Sequence, residues 1–375
     1  MSTRIYADIH ILQTVPPSNL NRDDAGSPKQ AIYGGARRAR VSSQAWKRAT
    51  RKAFTDKEQA PAATRTKRLP ALVAQRLYER TGIDLDQAQR IAAVVPGALD
   101  VTLDKKRPNE TSYLLFFGLA QLDRLVALLA EQVTELVAAD DKALAAAVKA
   151  LPLRDELGKG HPIDVALFGR MVADVAALNV DAATQVAHAI STHAVEIEFD
   201  YFTAVDDEKD RAGGDDAGAG MIGTVEFNSA TLYRFATVGL HQLRVNLDDD
   251  AEATVEALGR FVDAFCRSMP TGHENTFAHR TLPSLVSVVL RDDQPVNLVS
   301  AFETPVRSSQ GILTESQRLL VAELRRAHDQ WGLNPLLVAS TYTPAGDGDA
   351  EVLGTPLPFP DLVTAVTDAA RERLA

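Results

Sequence analysis

Residues 21–52 read NRDDAGSPKQAIYGGARRARVSSQAWKRATRK, and their order of residue types sets the fold class. Turn-forming residues fill the segment from Thr14 to Gly35, which ends in Gly34 and Gly35, where the backbone can turn sharply. The RRAR run at 37–40 can lie on a strand, and Ser42 and Ser43 stand where the N-cap of a helix belongs. At roughly 100° per residue, Gln44, Lys47, Arg48 and Arg51 fall on one side of that helix, and Trp46, Ala49 and Ala53 on the other. One face is built to pack and the other to carry charge. Loop, strand and amphipathic helix in close succession point to an α+β fold.

Charge gives this stretch a function. The chain carries a net charge of −10, yet Lys29, Arg37, Arg38, Arg40, Lys47, Arg48, Arg51 and Lys52 stand with no acid between Ala25 and Thr55. A local field of one sign, and not the total charge, decides what binds. Free N–H groups and hydroxyls at the positive end of the helix dipole, with cations along one face, suit a polymer of phosphates. The competing reading is an ordinary solvated helix face. The glycine turn and the continuity with RRAR favour nucleic-acid binding, without separating RNA from DNA.

Outward from this segment, RIYADIHILQ (4–13) alternates with period two, which predicts a half-buried strand with Ile5, Ile9 and Ile11 inward and Tyr6, Asp8 and His10 outward. Helical patterns occupy 68–80, 84–94, 121–139 and 140–151, bounded by Pro61 and Pro152. Strands are expected at Ile163 to Met171 and Val195 to Asp200. The tract DDEKDRAGGDDAGAG (206–220) has too little apolar content to pack and is expected to be a mobile tip between two hairpin arms, the second being TVEFNSATLYRF (224–235). Helices at Glu252 to Ser268, Thr314 to Trp331 and Asp361 to Leu374 then flank strands at Ser284 to Arg291 and Leu336 to Thr343.

With 375 residues and 45% hydrophobic content, the chain can build more than one core. No apolar run reaches the roughly 20 residues of a membrane span. A single cysteine, Cys266, rules out an internal disulfide framework and, with no apolar leader at Met1 to Leu12, implies a cytoplasmic protein. HExxH, Cys-His zinc, GxSxG and Walker patterns are missing, and His188 and His193 fall on opposite faces of an expected strand, so no metal, cofactor or catalytic residue is assigned. Asp23 and Asp24 fit turn and capping chemistry better than metal binding. Cys266, near Phe261 and Phe265 on an amphipathic helix, reads as a buried thiol.

The 21–52 string resembles the N-terminal signature of CasC-type backbone subunits of Cascade, the type I-E CRISPR surveillance complex of the RAMP superfamily. HPIDVALFGRM (161–171), AHAISTHAVEIEFDYFTAVDD (187–207) and GTVEFNSATLYRFA (223–236) continue the resemblance in order. It implies a modified RRM-like (ferredoxin-like) palm, a helical fingers insertion and a flexible β-hairpin thumb. By position, the palm would take 1–60, 161–199 and 226–375, the fingers 61–160 and the thumb 200–225. It also implies a non-catalytic subunit that polymerises along CRISPR RNA with copies of itself and other Cascade subunits, and presents the guide to target DNA. Lys29, Arg37, Arg38, Arg40, Ser42, Gln44, Lys47, Arg48 and Arg51 would grip the RNA backbone. Met171, Tyr201 and Phe202 would contact or wedge beside bases, where side chains of these types otherwise read as core.

The resemblance also meets departures. The 140–150 helix carries only Lys142 and Lys149 where relatives can show a lysine-rich patch for DNA, a role that Lys105, Lys106 and Arg107 could take instead. The RNP1 aromatic pattern of ordinary RRM domains is missing, so RNA is expected along the basic helix and thumb. Two other functions compete. One is an endoribonuclease that processes CRISPR precursor RNA, with or without metal; the other is a protein-only module whose basic helix binds an acidic partner.

Overall fold

The structure is a computed structural model and describes residues 4–58, 62–204, 221–346 and 348–375. β1 (Tyr6–Ser18) opens the chain, and the β2 (Gln30–Tyr33) and β3 (Ala36–Val41) hairpin leads into α1 (Ser43–Glu58). β4 (Ala63–Thr66) precedes α2 (Leu69–Thr81) and α3 (Leu85–Ala98). β5 (Leu115–Gly118) precedes α4 (Leu119–Glu131), α5 (Val133–Ala138), α6 (Asp141–Ala150), α7 (Leu153–Gly158) and α8 (Ile163–Phe168). β6 (Thr184–Val186), β7 (Ala189–Ser191), β8 (Glu198–Ala204) and β9 (Met221–Gly239) follow. The order closes with α9 (Leu240–Asn246), α10 (Ala251–Arg267), α11 (Glu274–Phe277), β10 (Leu285–Arg291), α12 (Ile312–Trp331), β11 (Leu337–Tyr342), α13 (Asp349–Leu353) and α14 (Phe359–Leu374).

The main sheet is antiparallel and ordered β11-β10-β1-β9-β7-β3-β2, with β6 and β8 also paired to β9. Ile5, just before β1, and Ala7, Ile9 and Ile11 of β1 pack with Trp46 of α1, Phe261 and Phe265 of α10, and Leu362 and Val366 of α14. The opposite face is covered as well. Leu12, Tyr233 and Phe235 pack with Leu298 and Phe302 of a 3-10 turn and with Leu320 and Leu324 of α12. β1 is therefore buried on both faces, against the half-buried strand expected. Asp8, His10 and Gln13 lie inside because other polar groups meet them: Val296 N–H donates to Asp8 Oδ2 at 2.8 Å, and His10 Nδ1 lies 2.9 Å from Tyr233 Oη.

The helices between β4 and β9 gather a second core, from Leu69 and Val73 of α2 through Leu122 and Leu125 of α4 to Leu178. Their ends follow sequence rules, as where Asp140 Oδ1 accepts from Ala143 N–H at 2.8 Å to cap α6. The strand expected at Ile163 to Met171 is instead the short helix α8, entered from Pro162. An apolar run this short does not separate a buried helix from a buried strand by periodicity. β8 pairs with the first part of β9 from Glu198↔Phe227 to Ala204↔Met221, which forms the expected hairpin arms. The 206–220 tract assigned to the hairpin tip lies outside the described residues. Among the described residues, no helix is long and apolar enough to cross a membrane.

Candidate nucleic-acid interface

Gly34 and Gly35 form the two-residue turn between β2 and β3, both at positive φ (56° and 71°). A Cβ on Gly34 would stand 1.6 Å from the carbonyl oxygen of Glu303, so close approach requires glycine there as much as the turn does. The turn thus docks the hairpin on the 302–303 segment and aims β3 at α1. Ser42 caps α1, its Oγ accepting from Ala45 N–H at 3.3 Å, while Asn21 Oδ1 accepts from Ser42 N–H at 2.9 Å. Trp46, fully buried, anchors the helix. The Arg234 guanidinium lies 3.7 Å from its ring centroid, and Phe265 packs edge-on at 6.5 Å.

With its apolar side fixed, α1 presents its polar side to a cleft of about 890 Å3 walled by the end of α10 and the 268–272 segment. Lys29, Ser42, Gln44 and Arg48, assigned from the sequence, line it with Lys52 of the same basic run, and so do Arg22, Arg267 and Arg280, which sequence reasoning did not place in a site. Asp263 is the only acid among the described lining residues, and Arg267 Nε donates to it at 2.8 Å. Lys29, Arg48 and Lys52 have no carboxylate partner among the described residues. Three cations without such partners, Arg48 and Lys52 on α1 and Lys29 beside them, have the charge that a polyanion would need there.

Lys47 and Arg51 sit on the other flank of the same polar face. Arg51 Nε donates to Asp164 Oδ2 at 3.2 Å, and its guanidinium stacks 4.3 Å from the centroid of Phe116. Burial raises the Asp164 carboxyl above its ordinary range despite this ion pair. Lys47 is held below its ordinary range by burial and then by the charge of Arg65.

Three arginines of β3 divide. Arg37 is exposed and donates to Gln30 Oε1 at 2.6 Å, outside the cleft. Arg40 donates to Gln30 O at 3.1 Å and lies 3.1 Å from His188 Nδ1. Arg38 corrects the sequence assignment of an RNA contact: its side chain is 0% exposed and donates to the main-chain carbonyls of Ser191, Thr192, Phe302 and Glu303. It ties β3 to the loop on which Gly34 rests. Nothing in the string RRAR marks the second arginine, because its acceptors come from segments more than 150 positions away.

Met171, Tyr201 and Phe202 do not pack in a core. They are 85%, 64% and 40% exposed, and Phe199 beside them is 66% exposed. None lines the cleft. Phe202 lies across Gly223 on the paired strand, where a Cβ would stand 2.3 Å from its ring. Asp23 behaves as a turn residue, its Oδ1 accepting from Ala25 and Ser27 N–H at 2.9 and 3.0 Å. Cys266 is buried, with its thiol pushed up to about 12 by desolvation. Among the described residues, no group of three or more His, Cys, Asp or Glu side chains could hold a metal ion.

The chain matches the family described as CT1975-like protein over residues 7–363. It is similar to a chain of a solved "CRISPR RNA-guided surveillance complex, pre-nicking" at 33% identity and TM-score 0.82, covering 97% of this chain and 100% of that one. A chain from a "CRISPR RNA-guided surveillance complex" shows 30% identity and TM-score 0.74, with 97% and 99% covered. None of the curated proteins compared with the chain matches it. An acidic protein with a cation-lined cleft, similar over nearly its whole length to chains of solved CRISPR RNA-guided surveillance complexes, belongs to the CT1975-like protein family.

Proposed function

We propose that this protein is a CRISPR RNA-binding backbone subunit of CasC type in a type I-E Cascade, working in several copies along one guide and presenting it to target DNA. The observation that carries the reading is the cleft along α1, where Lys29, Arg48 and Lys52 stand without carboxylate partners among the described residues. Phosphates would neutralise these cations and release counterions, a gain that does not depend on base sequence. Gln44, Ser42, Arg22 and the partly shielded Lys47 and Arg51 extend the same grip, with Arg37 and Arg40 beside it. Met171, Tyr201 and Phe202 are free to meet bases, because they cover no core of their own.

An RRM-like palm is part of this reading. Its support is the order β10-β1-β9-β7, all antiparallel, with α1 and α10 packed on one face, which follows a βαββαβ sequence of elements. In this reading the palm, fingers and thumb take the divisions expected from sequence, while the helical core also draws in Val172, Val175 and Leu178 beyond the expected end of the fingers at 160. The role rests on binding alone, in the cytoplasm, with other Cascade subunits as partners. The engagement of Asp23 in its own turn argues against that carboxylate as a metal ligand.

Two measurements on purified material test the proposal. Co-expressed with a CRISPR array and the other subunits, the chain should appear by native mass spectrometry in several copies per RNA. Incubated with repeat RNA, with or without divalent metal, it should leave the RNA intact. Specific cutting that is lost on Asp23→Asn would replace the scaffold with a nuclease.

A further inference from the structure

The flank of α1 outside the cleft carries a second feature. Arg65 of β4 and Arg51 of α1 stack on the Phe116 ring, their guanidinium carbons 4.9 and 4.3 Å from its centroid. Phe116, 3% exposed, is a fixed wall. Lys47 joins them closely enough that Arg65 depresses its ammonium, and Arg51 depresses Arg65 in turn after burial. Among the described residues, Asp164 is the one carboxylate facing these three cations, and Arg51 takes it. Arg65 is exposed, and among the described residues its guanidinium has neither a hydrogen bond nor an ion pair.

Like charges gathered against a low-dielectric wall repel, and one carboxylate does not offset three cations. A planar guanidinium with its donors unused and its carbon held over an aromatic ring can take an anion with several acceptor oxygens. Lys47 and Arg51 follow one another by a helical turn, next to Arg48 and Lys52 of the cleft, so a strand lying on α1 would pass both groups. We infer that Arg65, Lys47 and Arg51 form one phosphodiester subsite of the bound nucleic-acid strand, through which that strand ties the β4–β5 ribbon to α1. The subsite rests on the RNA-binding reading and adds a residue from outside the basic run.

The test is titration of fluorescent single-stranded RNA with the full chain between 50 and 200 mM salt. Loss of one phosphate contact should reduce the log–log salt slope of Arg65→Gln by about 0.7, so a fourfold rise in salt costs that variant about 2.6-fold less affinity than the parent. Arg65→Lys should recover part of the slope, and both variants should melt at the parent's temperature. If Arg65→Gln keeps the parent's slope while Arg48→Gln with Lys52→Gln loses affinity, the subsite is wrong and the RNA-binding reading stands. If neither changes, both fall. If Arg65→Gln changes only self-association without RNA, a carboxylate of a second copy is the anion and the inference is overturned.

Discussion

Arg38 reaches four main-chain carbonyls, while Arg48, ten positions on, has no partner among the described residues. Both belong to one unopposed basic run. Removing Arg38 strands buried acceptors, each costing about 1–3 kcal/mol if water does not reach it. Arg38→Met should therefore destabilise the fold by about 3 kcal/mol or more in urea unfolding, whereas Arg48→Met should stay within about 0.5 kcal/mol. Equal stabilities would contradict the division of labour. The sequence showed that this segment concentrates positive charge and that Trp46 turns inward, because both are local properties. It did not show which arginine the 302–303 loop would cover. Arg22, Arg267 and Arg280 escaped notice for the same reason, since each reaches the cleft only through packing between distant segments.

Among elements, β1 departs most from its sequence pattern. Strict alternation marked Asp8 and His10 as outward, but the 3-10 turn and α12 cover that side. Periodicity locates a strand's two faces and says nothing of whether another layer sits on the polar one. Burial has a measurable cost. Desolvation, then the charge of Arg291, depresses His10 to about 3, while burial raises Asp8 to about 6. A His with a depressed folded-state value stabilises above its unfolded value and loses that contribution as pH falls, since only the unfolded chain takes the proton. Asp8 runs the opposite way and is common to parent and variant. Between pH 7 and pH 5 the parent should thus lose about 2 kcal/mol relative to His10→Gln, read from urea unfolding at each pH. Parallel pH profiles would contradict a neutral buried His10. The long helices and the hairpin arms were legible because their periodicity runs over many residues. α8 was not, with six residues and an apolar face that fits either structure.

At the scale of the whole molecule, a protein with net charge −10 gathers Lys29, Arg48 and Lys52 on one flank of α1 and Lys47, Arg51 and Arg65 on the other, and local charge of one sign, not the total, sets what such a surface attracts. The sheet and two helical layers fix α1 by Trp46, and the separate helical core brings the β4–β5 ribbon with Arg65 to its side. The basic face of α1 was readable from the sequence. The opposite walls of the cleft were not, because they depend on contacts between residues 20–29, 263–280 and α1. RNA lying in the cleft is the central proposal. The direct measurement is the affinity of the purified chain for guide RNA at about 100 mM salt, for the parent and for Arg48→Glu with Lys52→Glu. Loss of two phosphate contacts and the added repulsion should weaken binding by at least about tenfold for every RNA sequence, with a shallower salt slope and an unchanged melting temperature. Parent-like affinity and slope in that double variant would contradict the cleft as the RNA grip.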